Sequence, residues 1–171
     1  MQEQHDIPIS RDEVIENLRA ARAELDASIE GLSPEILDGP TRDGGWTIKD
    51  HLAHVAEWQR RGLGVIAGKP PWEGLRIERE TWDQLDGVDD INEILFQRHR
   101  NTPLETVLED FQETGKQVRL TVESMTEADL QRELPEEISP RYRRVVDIVN
   151  YNFARHDRSH IDDIRGIAGR G

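Results

Sequence analysis

Apolar residues recur at helical spacing near the start of the chain. One stripe of residues three or four positions apart is formed by Val14, Leu18, Ala21, Leu25 and Ile29. Ser10, with Glu13 three positions later, predicts a capping box that starts this helix, and Gly31 predicts its end. We therefore expect a first amphipathic helix between Ser10 and Gly31.

A second amphipathic helix is predicted after a loop of glycine, proline and aspartate at residues 38–45. Thr47 with Asp50 predicts its capped start. Beside its apolar side runs a polar sector that includes His51, His54, Glu57, Trp58 and Arg61. A tryptophan within a polar sector is typical of a pocket, and the alternative is an ordinary amphipathic rim around the core.

The helical pattern breaks down from Gly62 to about Asp90, where glycine and proline interrupt the chain and Trp72, Trp82 and Leu85 supply apolar anchors. We interpret this segment as a long packed excursion with one short helix. Connections of this length in compact domains are often lids or partner-binding segments. A further helix is predicted over residues 90–100.

Two more long helices complete the pattern. Thr102 and Pro103 predict the start of a third helix that ends near Met125. Gly115 costs about 1 kcal/mol relative to alanine inside a helix, which indicates close approach of a neighbouring helix. The last helix is predicted over residues 141–167.

These four long helices predict an all-α fold, an antiparallel four-helix bundle with additional short helices in the long connection between helices 2 and 3. No segment shows the polar–apolar alternation of a strand over a useful length. We expect a single domain over residues 10–168, preceded by an N-terminal lead at residues 1–9.

Charge narrows the range of partners. The chain has 35 acidic against 22 basic residues, a net charge of -13, which repels phosphate backbones and anionic lipid. We therefore expect no nucleic-acid and no membrane partner. The absence of cysteine excludes disulfides, thiolate ligands and a cysteine nucleophile. Without a signal-like or membrane-spanning apolar run, the expected location is cytoplasmic.

Candidate chemistry lies on the last helix. His156 and His160 are four positions apart, so their imidazoles face the same way and can share one divalent metal with a third ligand from another helix. Asp163 follows on the same stripe. The alternative is one buried core histidine and one exposed histidine.

The stretch Gly45–Trp58 carries a tryptophan, a capping threonine and a Leu-Ala-His sequence. It resembles the second-helix signature of the DinB/YfiT-like superfamily of four-helix bundles, and His156-x-x-x-His160 resembles the superfamily's second signature. The resemblance spans about residues 10–168. It implies a metal triad of His54, His156 and His160, with His51 open as an alternative to His54.

The resemblance also implies cofactors. Histidine ligation suits a divalent transition metal, with zinc or nickel preferred, and three ligands leave positions open for water or substrate. The superfamily includes thiol-dependent transferases and isomerases, so a low-molecular-weight thiol is a second expected cofactor. A homodimer is the expected assembly.

We therefore expect a metal-dependent enzyme, a hydrolase or a thiol-dependent transferase, that acts on a small-molecule substrate. Glu57 and Asp163 are the candidate catalytic bases, and Arg61 and Arg155 are candidates to hold an anionic substrate group. The long excursion resembles the ClbS/DfsB-like branch, which implies an alternative: a non-catalytic protein that binds or sequesters a small molecule. A dimeric interaction module is the third reading.

Overall fold

Long helices build the structure, and shorter ones lie in the connections. The computed structural model describes residues 8–41 and 44–169. In chain order the helices are α1 (Arg11–Ile29), α2 (Pro34–Leu37), α3 (Ile48–Ile66), α4 (Pro71–Gly74), α5 (Arg79–Trp82), α6 (Val88–His99), α7 (Leu104–Glu123), α8 (Glu127–Gln131), α9 (Val145–Asp147), a π-helix (Ile148–Arg155), α10 (His156–Ser159) and α11 (Ile161–Ala168).

The predicted all-α four-helix bundle is confirmed. Its members are α1, α3, α7 and the segment from α9 to α11. The capping boxes predicted at Ser10 and Thr47 are present at the starts of α1 and α3. Within residues 8–41 and 44–169 no strand forms, and one isolated bridge joins Glu133 to Arg144.

The bundle has parallel as well as antiparallel neighbours. α1 contacts α7 and the last segment, and α3 contacts the same two, so α1 and α3 lie on one diagonal. Side-chain bonds from Arg11 to the carbonyl of Met125 and from Arg22 to Gln112 show that α1 and α7 run antiparallel. The connection from α4 to α6, called the excursion from here on, returns the chain to the end of the bundle at which α3 begins. For this reason α3 and α7 run parallel.

The core has two layers along the bundle axis. One contains Val14, Leu18, Val118 and Phe153, and the other contains buried side chains around Phe111. A third apolar cluster lies between the excursion and α3, with Trp58, Trp72 and Trp82 at its edge. Burial at about 25 cal/mol per Å² of apolar surface is the main force that holds these elements together. The excursion is therefore packed, as predicted, and it is more helical than predicted.

The last helix differs from its prediction at its start and in its interior, and it ends at Ala168, within one residue of the prediction. It begins at Val145 rather than Arg141, because the backbone before it pairs with the 132–134 segment, where Leu134 N–H donates to the Arg143 carbonyl. Asp147 caps the start through the Arg144 N–H. The π-helix then occupies eight residues, and the helix breaks at His160, whose N–H bonds the Asp157 carbonyl.

Gly115 does make room for a neighbour, but the neighbour is a side chain rather than a helix backbone. A Cβ at this position would lie 1.5 Å from Arg22 Nη1. The Arg22 guanidinium also lies 3.9 Å from the centre of the Phe111 ring. The glycine therefore lets an arginine from α1 fold flat against α7.

The predicted N-terminal lead falls mainly on residues 1–7, which lie outside the described residues. The carbonyls of Pro8 and Ile9 accept hydrogen bonds from Asn150 and Gln131, so the end of the lead is docked on the bundle. In the described part of the chain, no helix combines the length and apolar character needed to cross a bilayer.

Candidate metal centre

Three imidazole nitrogens converge between α3 and α10. His54 Nε2 lies 3.0 Å from His156 Nε2, and His156 Nε2 lies 3.1 Å from His160 Nε2. His54 lies in the middle of α3. His156 is the first residue of α10, directly after the π-helix, and His160 is the residue that follows α10. The structure thus brings together the three histidines that the resemblance selected.

His51 lies beside this cluster and uses a different nitrogen. Its Nδ1 is 2.9 Å from His160 Nδ1, on the side of the His160 ring away from His156. Asp163 lies on the same side, and its carboxylate, His51 and His160 place ligand-type atoms within 4.8 Å of one another. Asp163 is exposed, whereas His51 is buried.

This second group is better read as a support for His160 than as another metal site. A neutral imidazole has one proton, so a ring that offers Nε2 to a metal keeps that proton on Nδ1. His160 Nδ1 would then donate to His51 Nδ1, and Asp163 would lie at the exposed end of this group of three side chains. Such outer hydrogen bonds fix the tautomer and orientation of a metal ligand.

The histidines are held neutral by their surroundings. Burial is the main cause that lowers the pKa of each of the three, to about 2 for His54, about 4 for His156 and about 3 for His160. The positive charge that any one ring would gain also disfavours protonation of its neighbours. Neutral rings are the form that binds a metal.

The donor set fits a single divalent ion. Nitrogens bound at about 2.0–2.1 Å are about 3 Å apart when they subtend a right angle and slightly further apart in a tetrahedron. The observed separations of 3.0 and 3.1 Å lie in that range. Buried Nδ1 atoms of His54 and His156 have no hydrogen-bond partner among the described residues, so no carboxylate orients those two rings.

Aromatic side chains surround the cluster. The Trp46 ring centre lies 5.0 Å from that of His54, and Trp46 stacks on Phe96 of α6 at 6.2 Å. Trp58, one turn beyond His54, lies 6.2 Å from His156 and donates its indole N–H to Asn92 of α6 at 3.1 Å. The excursion therefore covers the site through α6.

Glu57 does not fit the predicted role of general base. Its carboxylate is fully buried and contacts four cation-forming side chains: His99 Nε2 at 2.6 Å, Arg98 at 3.2 Å, Arg60 at 2.9 Å, and Arg76. Burial alone would raise its pKa, but the His99 bond and the three guanidinium charges outweigh burial and lower it to about 2. We assign Glu57 instead to a clamp that ties the excursion to α3.

The other nearby acids also have structural partners. Asp50 caps α3 through the N–H and hydroxyl of Thr47, both at 2.9 Å. Asp157 is buried and accepts a hydrogen bond from Gln59 at 2.9 Å, and burial raises its pKa to about 7. Asp157 lines a separate cavity of about 770 Å³ between α1 and α7, and that cavity contains none of the four histidines. Of the predicted bases, Asp163 alone stays beside the cluster.

A large cavity opens next to the histidines. It has a volume of about 870 Å³, and His54 and His156 form part of its wall. Trp58, Trp82 and Tyr151 contribute aromatic surface. A cavity of this size accommodates a drug-sized organic molecule.

Several residues of this cavity were not predicted. Asn152 and Tyr151 lie on the π-helix, and Tyr142 lies in the segment before α9. In the sequence, the Asn150–Arg155 stretch reads as ordinary helix, and no periodicity distinguishes a π-helix from an α-helix over so few residues. The polar Asn152 inside a largely apolar stretch is the sequence signal from which this wall could have been predicted.

The fold is a helical bundle in which three converging imidazoles have the spacing of metal ligands. The sequence profile of the DinB superfamily matches residues 17–164, and the chain belongs to this superfamily. A protein of Geobacillus thermodenitrificans (strain NG80-2), suggested to be a metal-dependent hydrolase, is 30% identical over 113 residues. That match covers 63% of this chain and 56% of the relative, so the chain spans little more than half of that relative's length.

Solved structures share the fold. YfiT from Bacillus subtilis, suggested to be a metal-dependent hydrolase with an unusual four-helix bundle topology, matches with a TM-score of 0.55 at 18% identity, over 99% of this chain and 94% of YfiT. The colibactin self-resistance protein ClbS, solved in complex with double-stranded DNA, matches with a TM-score of 0.69 at 15% identity, over 94% of this chain and 96% of ClbS. At such identities the matches establish architecture.

Proposed function

We propose that this protein is a metal-dependent enzyme that acts on a small organic molecule. The observation that carries the proposal is the convergence of three neutral imidazole nitrogens at the wall of a cavity of about 870 Å³. Three protein ligands are the arrangement of a catalytic site, because a closed structural site uses four.

His54, His156 and His160 would hold the metal, which we expect to be zinc or nickel. Such an ion supplies Lewis-acid chemistry, because it polarises a bound carbonyl and lowers the pKa of water or of a thiol. His51 and Asp163 extend the cluster outward from His160. In this proposal they set the tautomer of His160, and Asp163 is the candidate proton acceptor at the exposed end.

Trp46 and Phe96 would exclude bulk water from one side of His54, while the cavity lined by Trp58 admits the substrate from the other side. Exclusion of water lowers the local dielectric constant and so strengthens electrostatic interactions at the reacting centre. Asp147, a carboxylate in the cavity lining, is bonded to the Arg144 N–H at 2.8 Å and caps α9. Asp147 is thus engaged in capping, and the proposal assigns the role of proton acceptor to Asp163 instead.

Hydrolysis is the favoured reaction, and thiol transfer is the second form of the same proposal. The Geobacillus relative and YfiT are both suggested hydrolases. The chain has no cysteine, so any sulfur nucleophile would come from a low-molecular-weight thiol. The two forms differ in whether turnover requires added thiol.

The test compares zinc- or nickel-loaded wild-type protein with the His156→Ala variant. Each is offered activated esters, amides and epoxides, with and without a thiol, and product is measured by mass spectrometry. We expect multiple turnovers with wild type and none with His156→Ala. The matched control is His99→Gln, which removes an imidazole outside the cluster and keeps a donor for Glu57.

Stoichiometric capture without turnover would replace this proposal with the sequestering alternative. That alternative is supported by the large aromatic cavity, in which Asp147, the carboxylate of its lining, is engaged in capping. Stabilisation of the protein by a ligand, with equal effect in wild type and His156→Ala, would favour sequestration.

A further inference from the structure

The wall of the cavity next to the histidines is positively charged although the chain is acidic. Its arginines are Arg61, Arg141, Arg143 and Arg155. Arg143 pairs with Glu133 at 3.1 Å, on the exposed rim. Among the described residues, Arg61, Arg141 and Arg155 form no ion pair with a carboxylate. In a chain of net charge -13, this concentration of unpaired positive charge at one cavity calls for a ligand.

Arg61 is held in place from behind. Its Nη1 donates to Asn152 Oδ1 at 3.0 Å, and Asn152 Nδ2 donates to the Trp58 carbonyl at 2.8 Å. Asn152 is 4% exposed, so these two hydrogen bonds hold Arg61 in a fixed position. The Arg61 guanidinium also lies 5.3 Å from the Trp58 ring. One edge of the guanidinium is thereby fixed, and its remaining N–H groups are free to bind a ligand.

Aromatic rings accompany the other two arginines. The Arg141 guanidinium lies 5.7 Å from the centre of the Tyr142 ring, and that of Arg155 lies 5.8 Å from the Tyr151 ring. The two tyrosine rings are stacked, with centres 6.0 Å apart and planes inclined by 12°. The wall therefore offers flat apolar faces beside positive charge, which suits a flat organic body with an anionic end.

The charge on Arg61 is costly as long as it has no counter-ion. Burial, and secondarily the like charge of Arg141, lowers the pKa of the Arg61 guanidinium, although Tyr142 acts in the opposite direction. A bound oxyanion would neutralise this charge and satisfy its free N–H groups. Guanidinium groups bind carboxylate and phosphate through paired N–H donors.

We propose that the substrate is a small organic oxyanion, a carboxylate or a phosphate on a flat unsaturated body, whose anionic group binds Arg61 with Arg141 and Arg155. The inference rests on the proposed function, because it places the substrate in the cavity that the histidines line. The anionic end occupies the arginine side, and the rest of the molecule extends along Trp58 towards His54 and His156.

The test measures binding of three ring compounds to the full chain by ligand-observed NMR: benzoate, phenyl phosphate and the neutral benzamide. We expect either anion to bind at least about tenfold more tightly than benzamide, because a charged hydrogen-bonded contact contributes about 1.5–3 kcal/mol. The anion that binds more tightly identifies the oxyanion. Equal binding of all three compounds to wild type would overturn the proposal, whatever the variants do.

Variants locate the contact. Arg61→Gln is expected to weaken anion binding at least about tenfold, and Arg155→Gln, on the exposed rim, by a smaller factor. Benzamide binding should change in neither. Arg119→Gln, which removes an exposed charge paired with Glu123 on α7, is the control and should bind like wild type. Anion binding unchanged in both Arg61→Gln and Arg155→Gln would overturn the proposal.

The same assay separates this inference from the proposed function. Anion binding that persists in His156→Ala protein shows an arginine site independent of the metal and supports the inference even if turnover is never found. Anion binding that disappears in His156→Ala but persists in Arg61→Gln would mean that the anion binds the metal alone, and would overturn the inference while the proposed function stands.

Discussion

At the scale of single residues, the spacing of His51 and His54 in the sequence does not decide which of them is the third metal ligand. They lie one turn apart on α3, and both are buried. The sequence could not choose between them, because both lie on the side that faces the last helix. The structure separates them by nitrogen: His54 presents Nε2 to His156, whereas His51 presents Nδ1 to His160. The choice of His54 as third ligand agrees with this geometry and stays a prediction until a metal is bound.

The two histidines should therefore respond differently to substitution. His54→Ala is expected to reduce bound metal to background, because two imidazoles hold an ion far more weakly than three. His51→Ala should retain the site with about 10- to 100-fold lower affinity, the usual cost of losing an outer partner. Competition titration with a chromophoric chelator measures both, and a greater loss in His51→Ala than in His54→Ala would reverse the assignment.

Glu57 gives a prediction about pH. Its pKa is about 2 in the folded protein and has an ordinary value of 4.5, so the unfolded chain takes up the proton first as the pH falls. The stability linked to this carboxylate is fully present above pH 4.5 and is lost as the pH falls from 4.5 towards 2. It amounts to roughly 3 kcal/mol. Urea unfolding from pH 6 to pH 3 should show a smaller decline in Glu57→Gln than in wild type.

The same substitution should release the excursion. At pH 7, Glu57→Gln leaves the charges of Arg60, Arg76 and Arg98 without their shared partner, and we expect a loss of about 3 kcal/mol or more in unfolding free energy. Hydrogen exchange should increase in α6. The control is Asp83→Asn, which breaks an exposed pair with Arg79 and should cost less than about 0.5 kcal/mol. Equal exchange in α6 of both variants would contradict the clamp.

At the scale of elements, the helices that have local start signals could be predicted and the π-helix could not. Ser10 and Thr47 carry their own capping partners, so α1 and α3 begin where the sequence indicates. The last helix begins at Val145 because Arg143 and Arg144 pair with residues 132–134, and no helix-start signal in the sequence reveals this pairing. Of the arginine wall, the sequence offered Arg61 and Arg155 as anion-binding candidates, whereas the part that Arg141 plays was hidden because it lies in a loop before α9.

Gly62 tests how tightly α3 and the π-helix pack. A Cβ at this position would lie 2.4 Å from the fully buried Phe153 ring and 3.0 Å from Asn152 Nδ2. Gly62→Ala should therefore destabilise the protein by about 1–3 kcal/mol, despite the better helix propensity of alanine. Gly87→Ala, where a Cβ meets nothing within 4 Å, is the control; because Gly87 is the N-cap of α6, it should cost about 0.5 kcal/mol in thermal unfolding. A Gly62→Ala protein as stable as the control would contradict the close approach.

At the scale of the whole molecule, the predicted homodimer stays a prediction. The large exposed apolar side chains of the described residues are Ile9 before α1, Val88 at the start of α6 and Leu120 on α7, so they come from three separate parts of the chain. Sedimentation velocity measures the assembly directly. The cavity and all four histidines of the site are complete within one chain, so the proposed chemistry does not depend on a partner subunit.

The distribution of charge gives the last prediction, that duplex DNA does not bind. ClbS has been solved with double-stranded DNA, but it shares only 15% identity with this chain. The arginines here are confined to one cavity and its rim, whereas a duplex needs a continuous basic surface, and the net charge of -13 repels its phosphates. We expect no binding of a labelled duplex at micromolar protein in fluorescence anisotropy at low salt. Binding that weakens steeply with salt, and weakens further in Arg155→Gln, would contradict this prediction and would reassign the arginine wall from a small oxyanion to a phosphate backbone.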